Sequence, residues 1–125
     1  MRFANVVAMH KVCRLEEIVP NCGVCALVEG EQVAVFRLDD DRVFAVGNRD
    51  PFSGANVLSR GIVGDLKGEL VVASPVYKQH FSLVTGRCIE DETIAVQVYS
   101  ASVQGKDVLV QKNPRPAMPH IDGRK

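Results

Sequence analysis

Long hydrophobic runs are missing from this sequence. The most apolar stretches, VCALV and LVVA, fall far below the ~20 residues that cross a bilayer as a helix. The N-terminus, MRFANVVAMHKVCRLEEIVP, has one brief apolar run broken by His10 and Lys11, and no small-residue cleavage site after it. It does not read as a signal peptide, and a soluble, cytoplasmic chain is expected. Net charge is also missing. Fifteen basic side chains cancel fifteen acidic ones, so no global field favours nucleic acid or an anionic membrane, and any partner must be recognised locally. Cysteine is sparse: Cys13, Cys22, Cys25 and Cys88 are too few and too unevenly placed for a disulfide framework, and read as free thiols. There is no G-x-G-x-x-G. The stretch GNRDPFSG contains glycines, but neither a P-loop lysine nor a helix start follows it.

What is present is a β pattern. The 125 residues suit one domain that buries roughly two-thirds of the surface its unfolded chain exposes. We assign the domain to residues 1–112, followed by a proline-rich tail, NPRPAMPHIDGRK, over 113–125. Three prolines in that tail remove backbone donors and argue against pairing in a sheet. Short apolar runs bounded by turn residues recur along the domain: VCALV, VAVFRL, RVFAVGN, ELVVASP, HFSLVTG, TIAVQVY and KDVLVQ. This is strand spacing with hairpin punctuation. EGEQ and DDDR are short enough to join the first three runs into a meander from about residue 23 to 47. RLEEIVP allows one helical turn before Pro20. In TIAVQVYSASV, Ile94, Val96, Val98 and Ser100 alternate with Ala95, Gln97 and Tyr99, which predicts a strand with one buried face.

Two segments are not ordinary turns: GNRDPFSGANVLSRGIVGD and SPVYKQHFSLVTG. Both follow apolar runs and mix proline and glycine with polar residues. Together they resemble the two cluster-binding loops of the Rieske iron-sulfur family, C-x-H followed by glycine and leucine, and C-P-x-H-G followed by phenylalanine and T-G. The resemblance implies an all-β fold, a stack of small antiparallel sheets with a two-loop tip. It keeps the frame as Pro51, Gly54, Leu58, Pro75, Phe81, Thr85 and Gly86, but puts Asp50, Phe52, Ser74 and Tyr77 at the four ligand positions. A Rieske centre needs two thiolates and two imidazoles. Phe52 has no donor atom, and Ser74 and Tyr77 offer hard, protonated oxygens. Cys88, eleven positions past Tyr77, cannot substitute along this loop path. No cluster and no other cofactor is therefore expected in this chain.

A narrower resemblance follows from VCALV, EQVAVFR, DPFSGANVLSRG and SPVYKQHFSLVTGRCIED. Over residues 13 to about 111 the chain looks like the small-subunit family of NAD(P)H-dependent assimilatory nitrite reductase, Rieske-like proteins without cluster ligands. That implies an accessory, non-catalytic role beside a nitrite reductase large subunit, which carries siroheme, an iron-sulfur cluster, FAD and the NAD(P)H site for reducing nitrite to ammonium. The four-cysteine siroheme pattern is absent from this chain, in keeping with that division.

The resemblance also implies a tip where partners dock. On it, Arg49, Phe52, Tyr77, Lys78, Gln79 and His80 make an aromatic centre with a polar rim, the usual composition of an interface. Phe52 and Tyr77 either only plug the space of the missing imidazoles or plug it and dock, with Asp50 and Ser74 bonding within their turns. His80 reads as a surface or satisfied strand histidine in preference to a catalytic base or an iron ligand, and His120 lies in the tail. Two other functions remain: a Rieske-type ferredoxin carrying electrons, and a zinc-stabilised binding module using His10, Cys13, Cys22 and Cys25, spaced H-x2-C-x8-C-x2-C. The second is weakened because thiols three positions apart on a strand point to opposite faces.

Overall fold

The computed structural model describes residues 9–111, so the tail expected over 113–125 lies outside the described residues. Ten strands form three antiparallel sheets. The middle sheet holds β2 (Cys22–Val28), β3 (Glu31–Arg37), β4 (Val43–Gly47) and β8 (Val98–Tyr99), in that order. The first three are the meander anticipated from EGEQ and DDDR. A second sheet is ordered β1 (Met9–Arg14), β10 (Asp107–Gln111), β9 (Ala101–Gln104), and a third β5 (Ile62–Leu66), β6 (Glu69–Ala73), β7 (His80–Ser82). RLEEIVP supplies a single 3-10 turn at Leu15–Glu17.

The middle sheet is covered on both faces, which explains why VAVF in β3 is a continuous apolar run and not an alternating one. Ala34 and Phe36 point into one core with Leu58, Val72, Phe81 and Leu83. Val33 and Val35 point the other way, to Ile18, Tyr99, Val108 and Val110. Each fully buried Val, Leu, Ile or Phe side chain among these contributes about 1.5–3 kcal/mol.

The double burial also corrects the reading of TIAVQVYSASV. Residues 94–97 form no regular strand; their backbone groups bond to the turn at Gly86 and Cys88 and to Gly47. Val98 then enters the first core and Tyr99 the second, so both faces of β8 are buried. Two strands escaped the sequence pattern altogether. β1 starts at Met9 and pairs with β10 from Met9↔Gln111 onward, so the fold begins before residue 13. β5 occupies Ile62–Leu66, inside what reads as loop, and pairs Ile62 with Ala73 and Leu66 with Glu69.

Candidate functional site

The segment after β4 and the segment between β6 and β7 are two turns of one design. In the first, Asp50 N–H donates to Ala55 O (2.8 Å) and Asp50 O accepts from Gly54 N–H (2.7 Å). In the second, Ser74 N–H donates to Gln79 O (2.9 Å) and Ser74 O accepts from Lys78 N–H (3.1 Å). The residue four places on has positive φ in both, 77° at Gly54 and 70° at Lys78. A third copy follows β7: Ser82 N–H to Arg87 O and Gly86 N–H to Ser82 O, both 2.9 Å, with Gly86 at φ 81°.

The side chain that heads each turn is buried and collects the amides of its own turn. Asp50 Oδ1 accepts from Phe52 N–H (2.8 Å) and Ser53 N–H (3.4 Å). Ser74 Oγ accepts from Val76 N–H (3.2 Å), and Ser82 Oγ from Val84 and Thr85 N–H, both at 3.1 Å. Asp50, Ser74 and Ser82 are all fully buried.

The first two turns are tied to one another by the Ser74 hydroxyl, which donates to Asp50 Oδ2 at 2.5 Å. Burial pushes the Asp50 carboxyl up, but the hydrogen bonds from Ser74, Phe52 and Ser53 outweigh it and hold its pKa below the usual aspartate value. Asn48, 2 % exposed, anchors the first turn. Its Nδ2 donates to Gln32 Oε1 (3.0 Å) and Asn56 O (3.2 Å), and its Oδ1 accepts from Ser59 N–H (2.7 Å).

The side chains of Phe52 and Tyr77 stand outside this network. Phe52 is 36 % exposed, with its ring 6.2 Å from that of Phe81, and Tyr77 is 60 % exposed. Val76 beside it is 42 % exposed. Arg49 and Lys78 are exposed, while Gln79 and His80 are half-buried. His80 is occupied: its Nδ1 lies 2.6 Å from Glu90 Oε2 and its backbone N–H donates to Glu90 Oε1 at 2.8 Å. Burial pushes the Glu90 carboxyl up, and the His80 bonds more than reverse that, holding its pKa low. Asn48 and Glu90 are the residues that sequence reasoning missed. Asn48 ends an apolar strand as an Asx-type residue, a signal in retrospect; Glu90 in CIED carries none.

The donor set at the four ligand positions does not fit a [2Fe-2S] centre. The two inner positions, Asp50 and Ser74, are hydrogen-bonded to each other, and the two outer ones are a hydrocarbon ring and a phenol. Cys88 is buried in the first core with its thiol pushed up by burial. The zinc set does not assemble either. Cys25 Sγ donates to Gln32 Oε1 at 3.5 Å, His10 Nε2 lies 3.3 Å from Glu29, and the Cys13 thiol is pushed up by burial and by Glu17. Among the described residues no group of three or more His, Cys, Asp or Glu side chains converges as a metal site. No described helix is long and apolar enough to cross a membrane.

A family model described as a Rieske-like [2Fe-2S] domain matches residues 8–111. A nitrite reductase (NADH) small subunit from Salmonella typhimurium is 52 % identical over 103 residues, 82 % of this chain and 94 % of that one. The chain belongs to the Rieske-like family, in its nitrite reductase small-subunit branch. The solution structure of a nitrite reductase [NAD(P)H] small subunit from Erwinia carotovora superposes with a TM-score of 0.73 at 43 % identity, covering 94 % of this chain and 89 % of that one. A nitrite reductase [NAD(P)H] large subunit from Klebsiella oxytoca is 40 % identical over 99 residues, which is 79 % of this chain and only 10 % of the large subunit. Members of this branch therefore exist both as separate small chains and as one segment of a much longer polypeptide.

Proposed function

We propose that this chain is the accessory, non-catalytic subunit of a cytoplasmic NAD(P)H-dependent nitrite reductase, and that it docks through its tip on the large subunit that reduces nitrite to ammonium. The observation that carries this reading is the Klebsiella oxytoca large subunit, in which a segment homologous to 79 % of this chain is part of the same polypeptide. A module that is covalently attached in one relative and separate in others is expected to occupy an equivalent place in both, held by its own interface where the linker is lacking. Siroheme, an iron-sulfur cluster, FAD and the NAD(P)H site belong to the large subunit in this scheme, and this chain holds no cofactor.

Docking falls to Phe52 and Tyr77 as apolar anchors and to Arg49 and Lys78 as the charged rim, with Gln79 and His80 behind them. Exposed loop side chains on a rigid β scaffold are where binding residues concentrate. The experiment is nitrite-dependent NAD(P)H oxidation by the large subunit with and without this chain, run beside co-purification. A complex and a changed rate are expected; no complex together with an unchanged rate would remove the proposal. A Rieske ferredoxin would be coloured, whereas this chain should purify without visible absorption.

A further inference from the structure

The three matching turns part company at their left-handed position. Two place glycine at the left-handed residue, Gly54 and Gly86, and the tip turn between them places Lys78 there at φ 70°. Of the other non-glycine residues in that region, Glu29 and Lys67 stand in two-residue hairpin turns that require it, and Asn21 and Asp41 are of the types that tolerate it. Lys78 has neither reason, and strain without one gathers at sites where the side chain is used. Lys78 has no internal use: among the described residues its ammonium makes no hydrogen bond or ion pair, and neither does the guanidinium of Arg49 on the first turn.

Among the described residues no hydrogen bond or ion pair links a carboxylate to Lys78 or Arg49. Asp50 is the one acidic residue in 48–57 and 74–80; it is fully buried and bound by Ser74 and two amides. Glu90 is taken by His80. Asp65 and Glu69 sit at the far end of the β5–β6 hairpin. Glu69, four residues along β6 from Ala73, is roughly 13 Å from the tip end of that strand, beyond the ~8 Å over which salt screens exposed charges. The exposed tip is an apolar patch of Phe52, Val76 and Tyr77 flanked by two unpaired cations.

We infer that the tip recognises an acidic surface with an apolar recess, and that Lys78 is kept at a strained backbone position because its ammonium meets a carboxylate of that surface. This rests on the docking reading above and specifies the chemistry of the large-subunit face that receives Tyr77. Complementary charge of this kind acts mainly on the rate of association, and apolar anchors mainly on the rate of dissociation.

The test is the association of this chain with the purified large subunit, measured at low and high salt for the native chain and for K78G, K78R, R49E, Y77A and K67E. Lys78→Gly should raise the melting temperature by relieving the left-handed strain and at the same time slow association by about tenfold at low salt. Lys78→Arg should keep native association, Arg49→Glu should slow it further, and Lys67→Glu, at the distal hairpin turn, should change nothing. Tyr77→Ala should speed dissociation. Tyr77→Ala weakening the complex while K78G and R49E associate as the native chain does, with no dependence on salt, would overturn the acidic-surface inference and leave tip docking intact. Native affinity in every tip variant would overturn the docking reading itself.

Discussion

The turn at Ser82 and the turns at Asp50 and Ser74 share a backbone and differ in everything that surrounds it. Behind Ser82 the next residue, Leu83, is buried in the core, and Gly86 is wedged so that an added Cβ would collide with the Val96 carbonyl oxygen. At the tip the equivalent next residues are the exposed Pro51 and Pro75, and a Cβ on Gly54 would meet only the end of the Arg49 side chain at 3.4 Å. The same hydrogen-bonded loop is a structural corner in one place and an exposed platform in the other. The Ser82 turn lies outside the four ligand positions and closes on its serine hydroxyl, and the tip turns close on Asp50 and Ser74 in the same way.

Substitutions at matching positions should separate the corner from the platform. Gly86→Ala, which combines the collision with left-handed strain, should cost about 3 kcal/mol or more in urea unfolding, the largest effect. Equal costs at Gly86 and Gly54 would mean that the two settings do not differ. Ser74→Ala strips the strongest partner from a buried carboxylate and should cost about 1.5–3 kcal/mol.

The pH dependence of that loss has a definite sign. Asp50 titrates below its unfolded value, so it stabilises the fold above about pH 4 and the contribution disappears as pH falls through the lowered folded pKa. In Ser74→Ala the pKa of Asp50 rises, so acid unfolding should begin at higher pH; an unchanged acid limb would show that Asp50 is not the group responsible. Gly54→Ala should cost only about 1 kcal/mol. His80→Gln should cost least, under about 1 kcal/mol, because the Glu90 pair it breaks is partly exposed. Both are read from the same denaturation midpoints.

Much of the fold was legible because its strands are buried. VAVF, VFAV and LVVA stand out as apolar runs, and the short EGEQ and DDDR turns pin their register. β1 and β5 were illegible for the opposite reason. Both are sheet edges with one paired side, so MHKVCR keeps its charges and IVGDL exposes Ile62 and Leu66, and neither shows a period. Residues 94–97 alternate like a strand but bond to a turn, a tertiary arrangement that no local pattern encodes.

At the site, the frame of Pro51, Gly54, Pro75, Phe81 and Gly86 and the unsuitability of Asp50, Phe52, Ser74 and Tyr77 as iron ligands could be read directly. The recurrence of the turn could not. Asp-x-x-x-Gly, Ser-x-x-x-Lys and Ser-x-x-x-Gly share no residue string, and what they have in common is a set of backbone bonds. Nor did sequence disclose that Asp50 and Ser74, twenty-four positions apart, touch.

That contact alters what the shape of the tip answers to. Where an iron-sulfur centre joins two loops, the junction depends on the cluster and on its cysteine and histidine ligands. Between Asp50 and Ser74 the link is a hydroxyl donated to a carboxylate, and neither group is a thiol or an imidazole, so this contact does not follow redox conditions. Protonation of Asp50, whose pKa lies below the usual aspartate value, is what weakens it.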